Sequence, residues 1–127
     1  MKILRTTPLL VVEAIEPLLP LWRDSLGYAL LAEVPEGKSL GFVLLAHGDQ
    51  HLMFQTRHSL EKDCPAVAAH HPASFLYTDV DSLTDLQAAM GQTEILVPLR
   101  TTFYGSREVF YRTASGHIAA FAEPAQK

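Results

Sequence analysis

The chain has 127 residues and a formal charge of −4, with 14 Asp and Glu against 10 Lys and Arg; 48% of residues are hydrophobic and 19% charged. A single domain of this length buries roughly two thirds of its unfolded surface, which leaves room for a core or a pocket. The charge argues against nucleic acid as a partner, since phosphate binding needs clustered Lys and Arg, and the low charged fraction argues against disorder.

The start, Met1–Arg5, has a basic flavour, but Glu13 and Glu16 interrupt the apolar residues that follow and no small-residue cleavage site comes after them. No signal peptide is therefore expected, and no segment approaches the roughly 20 apolar residues of a membrane span. Leu9–Val12 reads as a strand. Glu16-Pro17 is a plausible helix entry; Leu18, Leu19, Trp22 and Leu26 recur at helical spacing, as expected of core residues, and Gly27 is a stop. Extended stretches follow at Tyr28–Val34, Leu40–Ala46 and, after a turn at His47–Gln50, His51–Thr56. Residues 57–72 read as an irregular linker with a helical turn around Ala66–Ala69. The linker carries the only cysteine, Cys64, which excludes an internal disulfide and an all-cysteine metal cluster and fits a reducing, cytoplasmic location.

The pattern then restarts. Phe75–Thr78 reads as a strand, and Asp81 or Ser82 can cap a helix that carries Leu83, Leu86 and Met90 on one face and ends at Gly91. Extended pieces follow at Thr93–Leu96, Thr101–Tyr104, Arg107–Arg112 and His117–Ala122. The order of strand, helix and strands thus occurs twice in one domain, at about 1–56 and 73–127, joined by the linker 57–72. Neither half has enough core to stand alone comfortably, so the halves must pack on each other or on a second subunit.

Two stretches carry a family resemblance: Trp22-Arg23-Asp24-Ser25-Leu26-Gly27-Tyr28, and Tyr104–Arg112 followed by Ser115-Gly116-His117. With the doubled element order, they resemble the glyoxalase/bleomycin resistance protein/dioxygenase superfamily, also called vicinal oxygen chelate proteins. The resemblance implies an α+β fold of paired βαβββ modules that form an open, curved mixed sheet around a cleft, usually as a homodimer. One departure is Thr113-Ala114-Ser115-Gly116 in place of the family's Asp-Pro-Asp-Gly turn, although Gly116 is retained. Family enzymes hold a divalent metal with side chains from four strands. Those positions fall at Thr7, Met53, Phe75 (or Ser74) and Ala120, none of them a good ligand. The resemblance therefore points to a branch with no metal and no cofactor, similar to antibiotic-binding resistance proteins.

Strand pairing selects the faces. A tight turn at Gly48-Asp49 pairs Ala46 with His51, Leu44 with Met53 and Phe42 with Gln55, which places Phe42, Leu44, His51 and Gln55 on the face of Met53. A turn at Gly105-Ser106 pairs Phe103 with Glu108 and Thr101 with Phe110; a loop ending at Gly116 pairs Phe110 with Ala120 and Arg112 with Ile118. Phe103, Glu108, Phe110 and Arg112 then share the face of Ala120, and Tyr77 accompanies Phe75 by alternation. Such a face suits a planar organic molecule stacked on aromatics and fixed by a few polar groups, although the same aromatics could simply fill a core. Glu108 reads either as an ion-pair partner of Arg112 or as a base raised by apolar neighbours. His47 with His51, and His70 with His71, lack a third ligand at matching spacing and read as solvated.

The expectation is a metal-independent protein that sequesters a planar or amphipathic small molecule. The alternative is an enzyme of the same fold, a lyase, isomerase or dioxygenase, with an atypical metal site or with Glu108 as acid or base. A structural module with a filled cavity is a third reading.

Overall fold

A computed structural model describes residues 1–125; the last two residues of the second expected module lie outside the described residues. Contacts divide the chain into a first unit, residues 8–74, and a second unit made of residues 1–7 and those from Phe75 onward. Strand β1 (Ile3–Val12) contributes to both, divided between Thr7 and Pro8.

In the first unit, β2 (Ala29–Glu36), β3 (Ser39–His47) and β4 (Gln50–Thr56) precede β1 in the order β2-β3-β4-β1, with β1 parallel to β4 and the other pairs antiparallel. The expected helix after Glu16 is instead a 3₁₀ turn, Glu16–Leu18, followed by a π-helical stretch, Pro20–Ser25. Pro20 has no N–H to give to the preceding turn, so a regular α ladder cannot run through it. The apolar spacing still works: Ile15 and Leu19 pack with Val43, Leu45, Leu52 and Phe54, and Trp22 sits edge-on to Tyr28 and Phe54 at 5.5 and 6.0 Å. Gly27, at φ +81°, turns the chain into β2.

The linker is more regular than its composition suggests. It forms α1 (Arg57–Asp63) and α2 (Pro65–Ala68), and the Thr56 hydroxyl caps α1 by accepting from the Ser59 N–H at 3.1 Å. Leu60, Cys64 and Val67 are buried here, so the polar surface of 57–72 conceals a helical stripe.

The second unit contains β5 (Ser74–Val80, from Phe75), α3 (Leu83–Met90), β6 (Glu94–Thr101), β7 (Arg107–Arg112) and β8 (Ile118–Glu123). Its strand order is β1-β5-β8-β7-β6, with β5 and β8 parallel. Helix α3 lays Leu83 and Leu86 on Val80, Val109 and Tyr111, which commits that sheet face to packing. The two extended pieces expected at Thr93–Leu96 and Thr101–Tyr104 are one edge strand, β6, irregular between Ile95 and Arg100 around Pro98; Tyr104 lies in the following turn. Edge strands tolerate proline because one side of their backbone has no ladder to donate to.

The N-terminus of α3 rests on two side chains: the Ser82 hydroxyl accepts from the Asp85 N–H at 3.1 Å, and Glu123 accepts from the Leu83 N–H at 3.0 Å while pairing with Arg107. Ser82→Ala should lower stability by about 1 kcal/mol in urea denaturation, and Ser82→Asp should retain most of it. The Leu83 N–H, then Arg107, hold the Glu123 carboxyl below its usual range. Its contribution is therefore present above the ordinary glutamate pKa and lost as pH falls through the lowered one. Glu123→Gln should be less stable than wild type at neutral pH, with the difference closing below roughly pH 4.

Candidate functional site

The site is built on the sheet face of the second unit that α3 does not cover. Tyr77 and Phe110 both lie opposite Ala120, and Glu108 opposite Ala122, so Phe75, Tyr77, Glu108 and Phe110 share one face. The Phe75 and Phe110 rings meet edge to face at 5.9 Å. Thr6 on β1 meets Thr78 hydroxyl to hydroxyl at 3.2 Å, which puts its neighbour Thr7 on the same face as Tyr77.

The polar centre of this face is Glu108, whose side chain is 4% exposed. The Arg100 Nε and Nη2 donate to its Oε1 at 3.0 and 2.6 Å, and the Tyr77 hydroxyl donates to its Oε2 at 2.6 Å. The Arg100 guanidinium also lies over the Phe110 ring, 5.8 Å from its centroid. Burial first, then the negative charge of Glu108 and the neighbouring Tyr104, raises the Tyr77 pKa far above the ordinary phenol value, so the residue remains a donor. With both oxygens engaged, Glu108 is an oriented anchor. To act as a base it would first have to give up one of these bonds.

This arrangement corrects the second hairpin. Arg100, not Phe103, lies opposite Glu108, and Val97 lies opposite Phe110. The connection is not a tight turn at Gly105-Ser106 but a five-residue loop from Thr102 to Ser106, closed by the Thr102 N–H donating to the Ser106 carbonyl at 2.7 Å. Phe103 is consequently 85% exposed at the tip instead of lining the face. The pairing of Glu108 with Arg112 also fails. Four residues along one strand span about 13 Å, whereas directly opposed residues sit about 5 Å apart. Arg112 lies opposite Glu94, at 3.7 Å, and lines a polar groove of about 370 Å³ beside the β7–β8 turn, away from Tyr77 and Glu108. Arg100 and Tyr104 are the residues that sequence reasoning missed. Pro98, which forces an irregular β6, and the Thr-Phe-Tyr-Gly-Ser loop were the available signals.

In the first unit the pairing stands as read: Phe42 opposite Gln55, Leu44 opposite Met53 and Ala46 opposite His51. Phe42, Leu44 and His51 are partly buried and Met53 is buried. Gln55 has a structural tie, its amide donating to the Ser59 hydroxyl at 3.2 Å.

Among the described residues, no group of three or more His, Cys, Asp or Glu is placed to hold a metal ion. The positions that the resemblance assigns to the family's metal are Thr7, Met53, Phe75 (or Ser74) and Ala120; all but Ser74 are buried, and they supply hydroxyls and one thioether. That donor set does not fit a catalytic divalent cation, which takes imidazole and carboxylate. The Thr7 hydroxyl is the one buried side-chain polar atom without a partner among the described residues.

The profile of the glyoxalase/bleomycin resistance protein/dioxygenase superfamily matches residues 2–121. The chain belongs to this superfamily. Its fold is similar to that of a superfamily member from Vibrio splendidus 12B01, at 18% identity and a TM-score of 0.70, covering 94% of this chain and 98% of that one. It is also similar to methylmalonyl-CoA epimerase from Mycobacterium tuberculosis (19%, TM-score 0.67, covering 94% and 87%). A third similar structure is the Streptomyces coelicolor methylmalonyl-CoA epimerase in complex with 2-nitronate-propionyl-CoA (12%, TM-score 0.71, covering 98% and 100%). At these identities the likeness establishes the fold alone. No curated protein sequence matches the chain, and no helix among the described residues is long and apolar enough to cross a membrane.

Removing Arg100 leaves a buried carboxylate with its charge unpaired. Arg100→Met should therefore cost about 3–5 kcal/mol in urea denaturation, and Tyr77→Phe about 1–2 kcal/mol. Equal, small losses in both variants would show that water reaches Glu108.

Proposed function

We propose that this superfamily member binds a small aromatic molecule on the Tyr77–Glu108–Phe110 face and holds it without a divalent metal. The observation that carries the reading is the Thr7 hydroxyl, 1% exposed and unpartnered, on a face otherwise made of aromatic rings and a closed ion pair. An orphaned buried hydroxyl costs about 1–3 kcal/mol, and a polar group on a bound molecule would recover it. Phe75 and Phe110 would supply stacking area, and the face meets solvent at Arg100 and Tyr104. The ligand-bound epimerase of similar fold supports the capacity of this fold to hold an organic molecule.

Sequestration, as in the antibiotic-binding proteins that the sequence resembles, needs no catalytic group, which suits a Glu108 already committed to Arg100 and Tyr77. A second copy of the chain would complete the enclosure as a homodimer. The single cysteine suits a cytoplasmic location.

Two measurements test the reading. Protein purified without chelator should carry metal well below one ion per chain; stoichiometric zinc, nickel, iron or manganese would overturn it. In thermal shift against a panel of aromatic compounds, Thr7→Val should raise the Tm of the free protein while weakening the best binder roughly five- to ten-fold, because the orphaned group is removed together with its use. A panel that shifts nothing at saturating concentration would also overturn it.

A further inference from the structure

The ion pairs that Arg100, Arg107 and Arg112 make in the second unit differ. Arg100 meets Glu108 at 2.6 Å and Arg107 meets Glu123 at 3.0 Å, each a closed, hydrogen-bonded pair. Arg112 and Glu94 lie directly opposite each other on β7 and β6, yet their charged atoms stand 3.7 Å apart, too far for a hydrogen bond. Neither side chain has another ionic or hydrogen-bonded partner among the described residues. Both line the groove of about 370 Å³ beside the β7–β8 turn, which is large enough for a small ligand.

The groove is polarised. On one side stand Glu94 and, before it, Gln92 and Thr93 at the carbonyl end of α3, whose last turn carries no basic side chain. On the other side stands the Arg112 guanidinium. Its Nη1 faces Glu94, and its Nη2 lies 3.8 Å from where a Cβ on Gly116 would be. The adjoining turn closes through the Gly116 N–H to the Thr113 carbonyl and the Thr113 N–H to the His117 carbonyl, both at 2.8 Å. No backbone carbonyl among the described residues takes the N–H of Ala114, which also lines the groove. An anion alone would meet the charge of Glu94 here, and a cation alone that of Arg112. A molecule whose carboxylate and ammonium stand about 3 Å apart, as bond lengths set them in an α-amino acid, lays each charge against its opposite. The four charges then form a ring that alternates in sign.

We propose that this groove binds a free α-amino acid, with the carboxylate on Arg112 and the Ala114 N–H and the ammonium on Glu94. The Thr93 and Thr113 hydroxyls give their protons to the Met90 and His117 carbonyls, at 2.6 and 3.1 Å, so toward a ligand they can only accept. An amino acid whose side chain donates, such as serine, therefore suits the groove best. The site uses none of the residues around Glu108 and stands apart from the aromatic reading of that face.

The test is titration of the ¹⁵N-labelled full chain with L-serine, acetate, methylammonium and 4-aminobutanoate, followed through its amide signals. L-serine should move the signals of Thr93, Glu94 and Ala114. It should bind about ten-fold more tightly than acetate or methylammonium, which carry one charge each, or 4-aminobutanoate, whose charges stand too far apart; that factor is the worth of one charge-assisted hydrogen bond. Arg112→Gln should abolish L-serine binding. Glu94→Gln should weaken L-serine roughly ten-fold and strengthen acetate, so that the preference between them disappears. A role confined to folding would not exchange the two in this way. Both substitutions fall on partly exposed side chains of a loose pair, so both variants should keep the wild-type urea midpoint. Should either fold poorly, the four probes on wild type decide alone. Signals that stay unmoved up to the solubility limit of L-serine would overturn the proposal. So would acetate or 4-aminobutanoate binding wild type as tightly as L-serine, or movement confined to the Tyr77–Glu108–Phe110 face.

Discussion

The carboxylate of Glu108 sits in a place where an unpaired charge would cost several kcal/mol, and the second unit is arranged around making it tolerable. Arg100 supplies the counter-charge from the adjacent strand, Tyr77 orients the second oxygen from β5, and the Phe110 ring lies under the guanidinium. Each requirement constrains a different strand. Arg100 must lie opposite Glu108, which the irregular course of β6 around Pro98 allows, and Tyr77 must alternate with Thr78 so that its hydroxyl points away from α3. A slip of one residue in any of these strands would place a charge or a hydroxyl in an apolar layer.

Strand alternation makes this possible with few residues. On β7, Val109 and Tyr111 go to the α3 core while Glu108 and Phe110 go to the site, so a single strand serves packing and chemistry at once. The first unit follows the same rule with a different cover. Val43, Leu45, Leu52 and Phe54 pack on the distorted helical segment, and Phe42, Leu44, Met53 and Gln55 take the opposite face. Superfamily membership accounts for this shared plan, but not for activity, because function lies in the residues that the plan presents. Here the presented residues are aromatic, with one orphaned hydroxyl and a closed ion pair.

The legibility of the sequence followed how local each determinant was. The β3–β4 register was readable because Gly48-Asp49 makes a tight turn between two clean strands, so counting outward from it gives the pairs. The same counting failed in the β6–β7 hairpin, because Thr102 closes on Ser106 across five residues and shifts the pairing that Phe103 and Glu108 should have made. In the linker, Leu60, Cys64 and Val67 carry a helical stripe that Pro65 and the flanking polar residues obscure. The helix after Glu16 kept Leu18, Leu19 and Trp22 at the core while losing its regular form and leaving Leu26 47% exposed, since burial depends on spacing and the hydrogen-bond ladder on the absence of proline.

By itself, then, the sequence determined the family and the doubled order of elements. These are properties of residue type and spacing, which are local and survive small errors of boundary. Only the tertiary structure decided which residue neutralises Glu108 and why Phe103 is at a loop tip. Those outcomes depend on cross-strand distances of a few ångströms, which a bulge or a longer loop changes without altering composition, charge or hydrophobic period.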